Sequence, residues 1–125
     1  MNIRTSLALA ALLIGSALVA QAFGLDEEAQ RRLAGIMSGL VLAIFANSIP
    51  KHLPPLRGSK LSAARAQSYQ RFAGWTFALA GLGHASVWLA LPIHLANTMA
   101  IVIVGGAVLL VIATCLLART GAAAD

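Results

Sequence analysis

The chain has 125 residues; 59% of them are hydrophobic, 10% are charged, and the mean hydropathy is +0.84. A soluble domain carries about 25% charged residues, so this composition excludes an ordinary soluble globular protein and predicts an integral membrane protein of one domain. Cys115 is the only cysteine, which excludes an intrachain disulfide.

Four apolar stretches predict transmembrane helices, because a hydrocarbon core of about 30 Å is crossed by roughly 20 apolar residues. In chain order they cover residues 5–22, 33–49, 72–91 and 98–118. Short connections favour antiparallel neighbours. The predicted fold is therefore all-α: an integral membrane four-helix bundle of up-down-up-down order. It forms a single transmembrane domain over residues 1–125, with a basic cytoplasmic loop at 50–71.

The first stretch has two interpretations. A basic start, an apolar run and the small-x-small triplet at Ala20–Ala22 are also typical of a secretory signal peptide. We expect a retained helix. Cleavage after this triplet stays open as the alternative, and it would leave three spans.

The segment before the second stretch carries helix-start signals. Asp26 is predicted to be the N-cap, and the acidic residues after it face the positive end of the helix dipole. Glu27–Arg31 and Glu28–Arg32 are spaced as i,i+4 ion pairs. These pairs predict that the helix projects about a turn beyond the bilayer, and no further role is predicted for them.

Basic residues are distributed unevenly around the spans. Seven fall on one side of a four-span protein: Arg4, Lys51, Arg57, Lys60, Arg65, Arg71 and Arg119. Only Arg31 and Arg32 fall on the other. The positive-inside rule therefore places both termini and the basic loop in the cytoplasm, as in a multi-pass membrane protein. Anionic lipid headgroups account for the pI of about 10.8, so the predicted partner is the bilayer and not nucleic acid.

Small residues recur within the spans. The second span contains Gly35-x-x-x-Gly39 and the fourth contains Gly105-Gly106. The third carries a similar set, namely Gly74, Ala78, Gly81 and Gly83. Such residues let helix backbones approach closely in lipid. They predict packing within the bundle, and homodimerisation through one of these faces stays open.

Candidate catalytic groups are sparse. All four acidic residues lie outside the predicted spans, so an antiporter of the small multidrug-resistance type would lack its intramembrane acid. His84 is the only ionisable side chain well inside a span, and it is a candidate binding residue. The alternative is a neutral imidazole hydrogen-bonded within the bundle. Since His52 and His94 lie at other depths, no haem, other cofactor or metal site is predicted.

The stretch ANSIPKHLPPLRGSK separates the second and third spans. Pro50 is predicted to end the second helix, and Pro54-Pro55 to prevent an immediate restart. Asn47 is suited to bond the carbonyls that Pro50 leaves unpaired. Ser59 is a candidate N-cap for a helix that continues into the third span. One interpretation of this stretch is thus a rigid, basic connector.

A second interpretation comes from a resemblance. NSIPKHLPPL, followed by YQRFAGWTFALAGL, resembles the signature of the SdpI/YhfL family of bacterial membrane proteins, over about residues 40–85. In that family an Asn-x-x-Pro-Lys motif closes one span, and a basic residue followed by Gly-Trp opens the next. The family's intervening Gly-Ile-Arg-Thr-Pro-Trp-like segment is missing here, and LRGSK stands near its place.

The resemblance implies a protein that is not an enzyme. The family's best-known member protects a cell against a secreted peptide toxin and signals its presence by holding a repressor at the membrane. By analogy, we expect immunity to, or sensing of, a membrane-active peptide, with the basic inner loop as the surface for a cytoplasmic protein partner. The predicted binding residues are Asn47, Pro50, Lys51, Arg71, Gly74, Trp75 and His84. The alternative is an accessory subunit packed against a larger membrane complex.

Overall fold

The computed structural model describes residues 3–52 and 63–121, and regular structure in both ranges is entirely helical. The four helices are α1 (Ile3–Ala22), α2 (Glu27–His52), α3 (Ala63–Ala90) and α4 (Ile93–Gly121). The all-α prediction is confirmed, and each helix covers its predicted apolar stretch to within one residue. The helices are longer than those stretches because polar residues extend α2, α3 and α4 at their ends.

Two of the helices are long and apolar enough to cross a membrane. Within the described residues these segments are Glu27–Ser48 of α2 and Ile93–Ala118 of α4. The apolar part of α1, Ser6–Ala22, is shorter.

The turn between α1 and α2 is closed by Gly24. Leu25 N–H donates to Ala20 O at 3.2 Å and Gly24 N–H donates to Gln21 O at 3.1 Å, which is the bond pair of a Schellman helix end. Gly24 has a φ of 62°, a left-handed conformation that a residue without a Cβ adopts without strain. The turn therefore needs only the four residues between Ala22 and Glu27.

The start of α2 follows the predicted capping. Asp26 Oδ1 accepts the backbone N–H of Ala29 at 2.8 Å, so the N-cap prediction is confirmed. Arg31 pairs with Glu27 at 2.7 Å, and Arg32 pairs with Glu28 at 3.0 Å. Local signals therefore place this helix end correctly.

The prediction that Pro50 ends α2 is wrong, because the helix continues to His52. A proline removes one backbone donor and crowds the carbonyl four residues earlier. Close to a helix end this removes a single bond, and residues after the proline can still donate to Asn47 and Ser48. Residues 53–62, with Pro54, Pro55 and Ser59, lie outside the described residues. The structure has α3 begin by Ala63, well before the third predicted span.

Helices that follow each other along the chain pack against each other. α2 and α3 share the most extensive interface, followed by α3 with α4 and then α1 with α2. Other helix pairs make at most marginal contact within the described residues. α2 and α3 are antiparallel, since Arg32 bonds Leu91 near one end and Gly39 lies against Gly81 further along. The bundle is thus open between α1 and α4.

Small residues occupy the interior and large apolar residues face outward. Within the described residues, every buried hydrophobic residue is an alanine, and no polar or charged residue is buried. Leu89 is 74% exposed, Trp75 69% and Leu109 69%. This arrangement is the reverse of a water-soluble core, in which large aliphatic side chains are buried.

Candidate functional site

The closest helix contact lies where α2 crosses α3. A Cβ placed on Gly39 would lie 2.6 Å from the carbonyl oxygen of Gly81 and 2.7 Å from the backbone nitrogen of Ala85. A Cβ on Gly81 would lie 2.6 Å from the backbone nitrogen of Ala43. These neighbours are backbone atoms, so they cannot rotate away. The two glycines bring the helices together within this chain, as small residues do in membrane proteins.

One turn earlier, the indole ring of Trp88 packs over Gly35. A Cβ on Gly35 would overlap the six-membered and five-membered ring atoms of that indole. Trp88 is partly buried, and its ring centroid lies 6.5 Å from that of His84. Gly35-x-x-x-Gly39 therefore serves two different contacts on α3, one with an aromatic ring and one with backbone.

His84 joins this interface through Ser38. The Ser38 hydroxyl donates to Gly35 O at 2.9 Å, and Ser38 Oγ lies 3.3 Å from His84 Nε2. Because the hydroxyl hydrogen is committed to Gly35, Oγ is left to accept, and the Nε2–H tautomer of His84 is the one that suits it. The structure thus places His84 in a bond between helices, which is the arrangement that the sequence alternative described.

Two polar atoms beside this bond are buried without a partner among the described residues. They are His84 Nδ1 and Trp88 Nε1. In the Nε2–H tautomer of His84, Nδ1 is an acceptor, whereas Trp88 Nε1 is always a donor. Burying such a group unpaired costs about 1–3 kcal/mol. The α2–α3 interface around His84 and Trp88 therefore contains polar atoms whose hydrogen-bonding capacity is not used within the described residues.

Arg32 closes the same interface at the end of α3. Its Nη1 donates to Trp88 O at 3.1 Å and to Leu91 O at 2.9 Å, while Nη2 donates to Glu28 Oε1 at 3.0 Å. The last carbonyls of a helix lack intrahelical donors and carry a partial negative charge. Arg32 is therefore a C-terminal cap of α3 supplied by α2, a role beyond the ion pair that its spacing predicted.

The predicted binding residues fall into two groups. Asn47, Arg71 and Trp75 are exposed, and Gly74 is buried, towards the end of the hairpin opposite Arg32. His84 lies ten residues from Gly74, or about 15 Å along α3 at 1.5 Å per residue. Nothing is described of the side chains of Pro50 and Lys51, although both lie in the last turn of α2. The structure thus brings His84 together with Ser38 and Trp88 instead of with the Asn47 end.

The glycines of α4 are not used in the same way. Space around Gly105 and Gly106 is open to at least 4 Å, and both residues are exposed. The contact between α3 and α4 instead includes Ile103, whose side chain would lie 3.6 Å from a Cβ on Gly83. The prediction that Gly105-Gly106 pack against another helix of the bundle is therefore wrong for the described part of the chain.

Within the described ranges, no group of three or more His, Cys, Asp or Glu residues could hold a metal ion. The expectation of no cofactor and no enzymatic activity stays a prediction. Comparison of the chain with protein-family models, with curated proteins and with solved structures gave no match. The resemblance to the SdpI/YhfL family therefore also stays a prediction.

Proposed function

We propose that the chain is a multi-pass protein of the bacterial inner membrane, with all four helices in the bilayer. The observation that carries this proposal is the distribution of side chains: alanines and glycines lie between the helices, and leucines, valines and isoleucines face outward. Exposed apolar surface on this scale marks contact with lipid or protein. Small residues at helix contacts are typical of helices that associate inside lipid.

The proposed orientation puts both chain ends and the 53–62 segment in the cytoplasm. Support comes from the antiparallel α2–α3 pair, which holds Arg32 at one end and Arg71 towards the other. Arg71 then lies on the side that the positive-inside rule assigns to the cytoplasm, because the sequence that joins α2 to α3 is rich in basic residues.

Membrane extraction and thiol labelling test location and orientation. The protein should stay in the membrane pellet after alkaline carbonate treatment. With Cys115 replaced by serine, a cysteine at Gly58 should be labelled only after the inner membrane is permeabilised, and a cysteine at Glu27 should be labelled in intact spheroplasts. Release into the alkaline supernatant would refute membrane insertion, and the reversed labelling pattern would refute the orientation.

The function that we propose for this membrane protein is resistance to, or sensing of, a membrane-active peptide. It rests on the resemblance carried by Asn47, Pro50, Lys51, Arg71, Gly74 and Trp75. Further support comes from exposure, since Asn47, Arg71 and Trp75 are all accessible on the described surface. Arg71 and Trp75 lie one turn apart on α3, and a cation beside an aromatic ring suits a peptide with acidic and apolar side chains.

The double variant Asn47→Ser, Lys51→Arg tests this function. It keeps polarity, charge and Pro50, but serine has a shorter reach than asparagine, and arginine replaces a compact ammonium by a planar fork. We expect unchanged membrane levels and lower survival of cells challenged with a membrane-active peptide. Asn97→Ser, on the exposed start of α4, is the matched control and should survive like the parent protein. Equal survival with the parent protein, the double variant and the control would indicate that ANSIPKHLPPLRGSK acts only as a connector.

A second candidate function is favoured by α4. This helix has only 11% of its span buried, and its Gly105 and Gly106 face open space. Such a surface suits an accessory subunit that packs against a larger membrane protein. Native mass spectrometry of the protein extracted in mild detergent separates the candidates: a persistent complex with a larger protein supports the subunit, whereas a monomer or homodimer supports the peptide-resistance function.

A further inference from the structure

A cavity of about 500 Å³ lies between α1 and α2, near the turn that joins them. Leu13, Ala17 and Ala20 of α1, together with Leu33 and Ala34 of α2, form apolar walls. Its size is that of an ordinary small-molecule site, which ranges from about 300 to 1,000 Å³. The cavity exists because these two helices contact each other less than the other consecutive pairs do.

The end of the cavity nearest the turn is polar. Gln21, Glu27, Gln30 and Arg31 line it there. The Arg31 guanidinium and the Glu27 carboxylate are 2.7 Å apart, with side chains 61% and 81% exposed. Gln30 Nε2 donates to Leu25 O at 2.7 Å, which fixes the side-chain amide beside them. The site therefore combines an apolar slot with one positive and one negative group at its mouth.

We propose that this cavity binds one phospholipid whose zwitterionic headgroup carries a primary ammonium. An acyl chain packs against Leu13, Ala17 and Leu33, the phosphate accepts hydrogen bonds from Arg31, and the ammonium donates to Glu27. This proposal rests on the proposed membrane location, since only there does a phospholipid reach the cavity in quantity. It assigns the Glu27–Arg31 pair a ligand that lies outside the chain.

Charge complementarity selects a zwitterion over an anionic lipid. The pair has no net charge, so it matches a headgroup that also has none, and Glu27 repels a headgroup that brings only a phosphate. An exposed ion pair contributes about 0–1 kcal/mol. Arg31 and Glu27 therefore lose little free energy when they exchange each other for the groups of a lipid headgroup. Arg31 suits phosphate because its donors form a planar fork, and the positive end of α2 adds to the attraction.

The ammonium must also donate hydrogen bonds. A primary ammonium offers three donors to the Glu27 carboxylate, whereas a quaternary ammonium offers none. Phosphatidylethanolamine should therefore bind more tightly than phosphatidylcholine with the same acyl chains. The neighbouring Glu28–Arg32 pair is not part of this site, because Arg32 is held by the carbonyls at the end of α3.

Native mass spectrometry of the full chain in detergent tests the proposal. The probes are phosphatidylethanolamine, phosphatidylcholine and phosphatidylglycerol with identical acyl chains, added at equal concentrations. We expect one retained phosphatidylethanolamine per protein, with a retention about threefold or more that of each other lipid. A preference of this size corresponds to a free energy of below about 1 kcal/mol, which is what an exposed charge pair contributes. Glu27→Gln should abolish the preference, and Ala17→Phe, which fills the slot, should lower retention of all three lipids.

Glu28→Gln is the matched control, since it removes the same charge one residue away and should leave the preference intact. Equal retention of the three lipids by the parent protein, a preference for phosphatidylglycerol, or an equal effect of Glu28→Gln and Glu27→Gln would each overturn the proposal. These outcomes concern the headgroup site alone. Failure of the membrane location would instead be seen as release of the protein by alkaline carbonate.

Discussion

Glycines occur in both the α2–α3 interface and α4, but their surroundings differ. Gly39 and Gly81 face backbone atoms of the partner helix, at distances that leave no room for a Cβ. Gly105 and Gly106 face open space. The same residue type thus marks a close helix contact in one region and an uncovered surface in the other.

The difference shows that a small-residue pattern alone does not identify a helix contact. Both regions have glycines at positions where helices in lipid commonly meet. What distinguishes them is the partner: α3 presents Gly81, Ala85 and an indole ring to α2, and nothing in the described chain faces the α4 pair. The α2–α3 pair therefore forms the most extensive helix contact within the described residues, and α4 packs beside it against α3.

The largest expected effect comes from making the same substitution in both regions. Gly39→Ala places a methyl group against Gly81 O and Ala85 N, and overpacking of this kind costs about 1–3 kcal/mol. Gly106→Ala meets nothing and should stabilise α4 by about 0.5–1 kcal/mol, because alanine is the better helix former. The free energy of unfolding in mild detergent, followed by circular dichroism, should therefore move in opposite directions. Two changes of the same sign would remove the contrast between the regions.

The next effect separates two neighbouring arginines. Arg32→Gln takes charged donors from the carbonyls of Trp88 and Leu91, and hydrogen bonds to charged groups contribute about 1.5–3 kcal/mol. Arg31→Gln breaks only an exposed ion pair, which contributes about 0–1 kcal/mol. The same unfolding measurement should rank Arg32→Gln as the more destabilising by about 1 kcal/mol or more. Equal losses would mean that the cap on α3 adds nothing to the hairpin.

The smallest expected effect concerns the bond between His84 and α2. Ser38→Ala removes the only described partner of His84 Nε2, and a typical intramolecular hydrogen bond contributes about 0.5–1.5 kcal/mol. Ser86→Ala is the control, since its hydroxyl bonds only Leu82 O within its own helix and lies exposed. We expect a loss of about 1 kcal/mol for Ser38→Ala and almost none for Ser86→Ala. Similar values for the two would assign no stabilising role to the interhelical bond.

The helices and one helix start were predictable because their signals are local. Runs of apolar residues set the positions of all four helices, and Asp26 followed by two glutamates set the start of α2. Pro50 misled the prediction of the end of α2, since a proline near the end of a helix disturbs a single bond and leaves the following residues helical. Local rules therefore predicted the positions of the helices better than the residues at which the helices end.

The contacts between helices were not predictable from spacing. Arg32 bonds residues 56 and 59 positions away, and Ser38 lies 46 positions from His84. The i,i+4 pattern explained Arg32 without reference to α3, so its capping role was missed. The available signal was an arginine in the first turns of α2, at the level where the antiparallel α3 ends. The cavity between α1 and α2 had no sequence signal, because it depends on how far apart two helices lie.

The chain-ordered packing of the helices bears on how the protein is assembled during synthesis. Each extensive interface within the described residues joins a helix to the one made just before it. Chains are synthesised from the N-terminus and their parts fold in that order, and contacts between near neighbours form quickly. Each helix can therefore pack against the preceding one as soon as it has been synthesised. Gly35 and Gly39 of α2 are covered once α3, the next helix, has been made.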